Sequence, residues 1–399
     1  MTIWQWKHPE VVMKRVWFGF FLLLLLSGCS SLFSAKDNAD PPAELVDFTA
    51  ALELETLWQL KVGGTDGKFL EIAPAVAGEQ LFIADPKGRV VAVDRLSGKR
   101  LWDVETRLPV SGGPGVGNGL VLLGTAEAEL VALGAADGSE KWRRRVSSEV
   151  LSVPAASRGV VVVRTVDGRA AGLSADTGAN RWTFDHSEPV LTLRGNSAPI
   201  INEDQVFIGF SNGKLAGLSL DGGTANWEAT VATAHGRTEL ERIVDIDSDP
   251  VVVEGVVYAA SFQGQVAAVS ESSGVVLWRR DISVHAGLDA DWRQLYVTDD
   301  EDAIWALEAG NGATLWQQKA LHARKLSAPA IIGNYLVAGD YDGYLHWFSQ
   351  EDGRMIARIR VGSEGIRAKP LVVDGIVYVF DDSGKLTALR MRLPETETP

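Results

Sequence analysis

The chain of 399 residues is 46% hydrophobic and carries a formal net charge of −14, with 52 Asp and Glu against 38 Lys and Arg. That apolar content suffices for a folded core and excludes a disordered chain. The acidity removes the electrostatic basis for binding nucleic acid, which requires Lys and Arg to neutralise phosphates, and the single cysteine, Cys29, excludes an intrachain disulfide.

Residues 14–29 read KRVWFGFFLLLLLSGC. A basic pair, an apolar stretch over 16–26 and a small-residue approach to Cys29 have the layout of an export signal, too short to span a bilayer. Leu26-Ser27-Gly28 ahead of Cys29 resembles a bacterial lipobox. That resemblance implies cleavage before Cys29 and acylation of its thiol and new amine. An ordinary signal with an incidental cysteine is the alternative, and Met13 is a second candidate start. The expected boundaries are a signal over 1–28 and a lipidated, polar, Pro-bearing tether over 29–50. Each buried methylene of a lipid contributes ~0.8 kcal/mol, so several acyl chains would hold the protein to a membrane. By analogy with lipoprotein sorting, Ser30 in place of an aspartate points to the outer membrane.

Beyond the tether the chain repeats itself. Residues 73–102, APAVAGEQLFIADPKGRVVAVDRLSGKRLW, alternate short apolar runs with Gly-bearing turns, which predicts four strands per unit. Pro74, Pro114, Pro154, Pro199, Pro250, Pro329 and Pro370 lead seven copies, and Asp289 takes that place in another, making eight. Trp102, Trp142, Trp182, Trp227, Trp278 and Trp316 close six copies, each four residues after a Gly. A glycine with positive φ suits the turn before the last strand, and the large flat ring suits the wedge between neighbouring units. In the seventh copy Gly353 is kept but Ala357 stands in the Trp position. The eighth copy ends after three strands, and ETLWQLKVG at 55–63, with Trp58, supplies a fourth from the other terminus. The expectation is therefore an all-β, eight-bladed β-propeller over 51–392, built of four-stranded antiparallel blades, with the N-terminal strand completing the last. A polar tail follows at 393–399. An open solenoid would need polar caps and leaves the Trp58 strand unexplained.

The stretch AVDRLSGKRLW at 92–102 resembles the Ala-x-Asp-x-x-x-Gly-x-x-x-Trp docking motif of pyrroloquinoline-quinone dehydrogenases. That resemblance implies a quinone-dependent oxidoreductase, which stands as the alternative function. The motif locks blades together and carries no catalytic information. Those enzymes typically also have a vicinal disulfide, which one cysteine cannot form. A second resemblance runs through LTLRGNSAP (191–199), TELERIVDIDSDPVVVEGVVYA (238–259) and GDYDGYLHWFSQEDGR (339–354). Together these are similar to the BamB family, propeller lipoproteins of the outer-membrane β-barrel assembly machinery. This resemblance implies a non-catalytic adaptor on the periplasmic face of the outer membrane, without a cofactor. It also implies docking on the periplasmic POTRA domains of BamA, with unfolded barrel substrates as a further candidate partner.

Spacing locates the unusual surface. Most intervals from a closing Trp to the next lead residue are eleven to thirteen residues, but Trp182 to Pro199 is seventeen and Trp227 to Pro250 is twenty-three. Both insertions fall in the same type of connection in consecutive copies, so they share one face. The first holds Leu191, Leu193 and Arg194; the second holds Arg242, Asp245, Asp247 and Asp249. Apolar anchors and an arginine beside carboxylates suit a protein-binding patch. An internal role is the alternative, with the leucines filling space and Arg194 pairing with Asp245 or Asp247. The BamB resemblance implies that Leu191, Leu193, Arg194, Asp245 and Asp247 contact BamA. DIDSD at 245–249 opens like a calcium loop, but Pro250 and Val256 stand where an EF-hand needs Gly and Glu. The six histidines show no metal-ligand spacing, and no nucleophile elbow or phosphate loop occurs. No residue is nominated for catalysis.

Overall fold

The computed structural model describes residues 40–65, 72–189, 191–193 and 197–392. The chain divides into two units, residues 1–41 and 42–399. Of the first, only Asp40 and Pro41 are described, so the expected signal and Cys29 lie outside the described residues, as do Arg194 and the tail at 393–399.

The second unit contains eight four-stranded antiparallel sheets. Blades 1 to 7 occupy 75–105, 110–145, 155–185, 200–230, 251–281, 284–318 and 330–360 in sequence order. Blade 8 takes Leu371–Val373, Ile376–Phe380 and Lys385–Arg392, and its outer strand is Glu53–Lys61 from the other end of the chain. Glu53 pairs with Arg392 and Lys61 with Lys385, closing the ring. On the outside of that joint the Glu55 carboxylate takes Arg392 at 2.7 Å and Arg390 at 3.0 Å. Those two guanidinium hydrogen bonds hold the Glu55 carboxyl down at about 2.

The middle strands of each blade are continuous apolar runs because both of their faces are covered by neighbouring blades. In blade 1, Leu81, Phe82, Ile83 and Val90 to Val93 are all fully buried. The tight turn between them is held by its own aspartate: Asp85 Oδ1 accepts from the amides of Lys87 and Arg89.

Tryptophan ties each blade to the next. The indole N–H of Trp58 donates to Arg95 O at 3.0 Å, and that of Trp102 to Ala135 O at 2.8 Å. Trp142, Trp182, Trp227, Trp278 and Trp316 donate likewise to Ala175, Leu220, Glu271, Ala309 and Gln350. Each ring presses on the turn glycine of the following blade. A Cβ at Gly98, whose φ is +69°, would lie 2.6 Å from the Trp58 ring. Gly353 meets Trp316 in the same way.

Blade 7 departs from this pattern and shows why Ala357 lacks a large ring. In the other blades a Gly or Ala on the third strand faces the outer Trp, as Ala92 faces Trp102 and Gly172 faces Trp182. In blade 7 the pair is reversed, with Trp347 facing Ala357. The bulk has moved one strand inward, where Trp347 is fully buried in the core between blades 7 and 8. The outer space released is taken by the segment before Glu53 and the start of its strand: Leu52 joins that core, Leu54 packs against it, and the Ala51 amide donates to Ile356 O.

Candidate functional site

Four antiparallel strands bring the chain back to the same side at the end of every blade, so all connections from a fourth strand to the next first strand share one face. The two longest are consecutive: blade 3 ends at Asp185 and blade 4 begins at Ile200, while blade 4 ends at Thr230 and blade 5 begins at Val251.

The second connection is built from both ends. Val231 and Ala232 are buried and donate their amides to Gly213 O. The tip is a small capped turn: Glu241 Oε2 accepts from the amides of Arg237 and Thr238, and Thr238 Oγ1 accepts from the Glu241 amide. Those backbone bonds depress the Glu241 carboxyl. The return limb is apolar. Ile243, Val244 and Ile246 are buried, and Ile246 enters the core between blades 4 and 5.

The first connection is anchored at its start. Glu188 bonds Arg164 through Oε1 at 3.3 Å and the Ser211 amide through Oε2 at 3.0 Å. The His186 ring stacks on Phe210 with centroids 4.1 Å apart, and burial lowers its pKa. Two hydrogen bonds then join the connections: Leu193 N–H to Asp245 Oδ2 and Ala198 N–H to Asp249 Oδ1, both at 2.6 Å.

The five residues singled out for partner contact separate into different roles. Leu191 and Leu193 are 39% and 41% exposed, at the surface rather than beneath the loop. Asp245 is wholly buried and Asp247 half-buried. Asp245 is pushed up to about 7 by burial, then by the neighbouring Asp247, against the opposing Leu193 amide. Burial also raises Asp247, opposed by the charges of His285 and Arg164. Arg194 lies outside the described residues. Asp245 thus acts on the other loop's backbone, and the leucines face out.

Two elements of this site escaped the sequence reading. Leu240, on the capped tip, is 67% exposed and adds a third apolar side chain to the face. Its signal was a leucine flanked by acids in TELER. Arg164, 97% buried in its side chain, lies under the first loop; its signal was a cation closing the otherwise apolar strand Val160–Arg164. Among the described residues no group of His, Cys, Asp or Glu is placed to hold a metal ion.

The family model described as outer membrane protein assembly factor BamB matches residues 47–109, 86–318 and 304–392. A protein of that name from Pseudomonas aeruginosa is 48% identical over 389 residues, covering 97% of this chain and all of the relative. Its namesake in Escherichia coli K12 is 35% identical, covering 93% of this chain and 97% of the relative. The crystal structure of BamB from Moraxella catarrhalis superposes with a TM-score of 0.78 at 25% identity, over 85% of this chain and all of that one. A quinohemoprotein alcohol dehydrogenase from Comamonas testosteroni reaches a TM-score of 0.66 at 14% identity, over 86% of this chain and 78% of that one, a likeness of fold alone. With its propeller closed by the N-terminal strand and its two joined loops, the chain belongs to the family of the outer membrane protein assembly factor BamB.

Proposed function

We propose that this protein is a non-catalytic adaptor for the assembly of outer-membrane proteins, lipid-anchored through Cys29 on the periplasmic face of the outer membrane. It docks through the connections at 186–199 and 231–250 on the POTRA domains of BamA. The observation that carries this reading is the pair of hydrogen bonds from Leu193 to Asp245 and Ala198 to Asp249. They hold two loops as one surface with Leu191, Leu193 and Leu240 exposed on it. A surface ordered in advance loses little entropy on docking, and exposed apolar side chains on it supply anchors. Arg194, which follows Leu193 in the chain, is the cation this reading assigns to the partner.

The test replaces the outward side chains and leaves the buried carboxylate alone. Leu191→Asp with Leu193→Asp should weaken recovery of BamA from detergent-solubilised envelope at least tenfold, with a thermal melt close to wild type. Undiminished recovery by a folded variant refutes the docking surface.

A further inference from the structure

A groove of about 280 Å³ opens between blades 2 and 3, lined among others by Val163, Ala171, Leu173, Asn180, Thr183 and Arg145. Its origin is a local departure from the repeat. The outer strand of blade 3 places Thr183 opposite Ala171. At the matching register position blades 1, 2, 4 and 5 carry Asp103, Arg143, Glu228 and Arg279. Each of these is tied down: Asp103 to Arg89, Arg143 to Glu129, Glu228 to Lys214, and Arg279 to Val231 O. Thr183 is too short to close its side of blade 3 in this way.

The molecule itself displays what such a groove holds. Blade 7 places Ala338, Phe348, Met355 and Arg358 at the register positions of Val163, Leu173, Asn180 and Thr183. Across them runs the extended segment that precedes the first strand. Leu45 packs on the core that includes Ala338 and Phe348, alongside Met355. The Ala43 amide donates to His322 O, and Ala43 O accepts from Arg324, itself held by the buried Asp340. Val46 O accepts from Arg358 at 3.2 Å, and that guanidinium lies 5.5 Å from the Phe48 ring centre. The seat thus takes one leucine and grips the adjacent backbone with arginine.

The groove between blades 2 and 3 also pairs an apolar floor with an arginine, although Ala171 and Thr183 stand where blade 7 has His346 and Arg358, and the arginine comes from blade 2. Its floor is aliphatic, and Arg145, exposed at the end of the outer strand of blade 2, forms no ion pair among the described residues. Sites enclosing drug-sized ligands measure roughly 300–1,000 Å³, so this volume fits a single side chain with its flanking backbone better than an organic cofactor. We infer that this groove binds an extended segment of unfolded polypeptide, seating one leucine-sized side chain on Val163, Ala171 and Leu173 with an adjacent carbonyl or carboxylate on Arg145. Recognition is by backbone and one pocket, a mode tolerant of sequence. It requires nothing of the loop face, whose test reads a different partner.

The probe is a fluorescein-labelled peptide of residues 42–48, Pro-Ala-Glu-Leu-Val-Asp-Phe, titrated with the purified full chain and followed by anisotropy. Saturable binding is expected, weakened at least tenfold by Ala171→Leu, which fills the seat, and by Arg145→Glu, which reverses its charge. Arg358→Glu should leave the affinity unchanged. Arg145 is exposed, so its variant decides the matter if Ala171→Leu misfolds. Absence of saturable binding overturns the inference. So does equal binding by folded Arg145→Glu, or a loss confined to Arg358→Glu, which would mean exchange with the chain's own segment.

Discussion

Asp245 makes the joined loops sensitive to pH, in a direction that can be worked out. Its carboxyl is wholly buried, has Asp247 nearby and rises from 3.8 to about 7. The folded state therefore holds a proton that the unfolded chain has already lost. Between about pH 4 and pH 7 the native protein binds more protons than the unfolded one, so stability falls as pH rises and levels above 7. A rise of this size corresponds to about 4 kcal/mol at full extent, present as a cost at pH 8 and absent below pH 4. Asp245→Asn removes the charge and keeps an oxygen to accept the Leu193 amide. Denaturant midpoints measured from pH 4.5 to 8.5 should therefore converge at the acid end and separate towards alkaline pH, with the variant the more stable. Asp247 rises in the same sense and remains, so the variant flattens the profile without abolishing its slope. Parallel profiles, or a variant less stable than wild type at pH 8, would refute the assignment of a protonated staple.

Three further outcomes follow from the packing and the proposed lipid anchor. Trp58→Ala removes the ring wedged on Gly98 and its bond to Arg95 O, and should cost ~3–5 kcal/mol by urea unfolding, whereas Glu55→Ala breaks only solvent-facing ion pairs and should leave the unfolding midpoint close to wild type. Ala357→Trp sets a second large ring against Trp347 where Leu52 now packs and should lower stability by ~1–3 kcal/mol; combining it with Trp347→Ala restores the arrangement of the other blades and should recover part of the loss, read by the same unfolding curves. Cys29→Ser should release the exported protein from the outer-membrane fraction into the soluble periplasm, as followed by fractionation.

A carboxylate kept at a position where ionisation is unfavourable is more informative than an exposed ion pair. Asp245 holds the backbone at Leu193, and that bond joins the two insertions. Its contribution to the proposed docking is therefore indirect: removing the bond should loosen the leucines rather than delete a contact. The exposed Leu240 extends the same surface through a turn stabilised by Thr238 and Glu241, both themselves exposed.

The blades, their number and the closing strand were all legible in the amino-acid sequence. A strand alternates with period two, a turn needs glycine or aspartate at fixed places, and the displaced Trp58 unit marks the joint. These are local rules, repeated eight times. Even the shared face of the two long connections follows from counting strands. What no local rule could assign is which side chains within those connections turn inward. Asp245 is buried because Leu193, fifty-two residues earlier, presents an amide to it, and Leu240 is exposed because the capped turn lifts it from the return limb. In the same way, Ala357 makes sense only beside Trp347 and Leu52, which meet it from another strand and from the far end of the chain. Burial is a property of contacts between distant segments, so it was decided when the ring closed and brought them together.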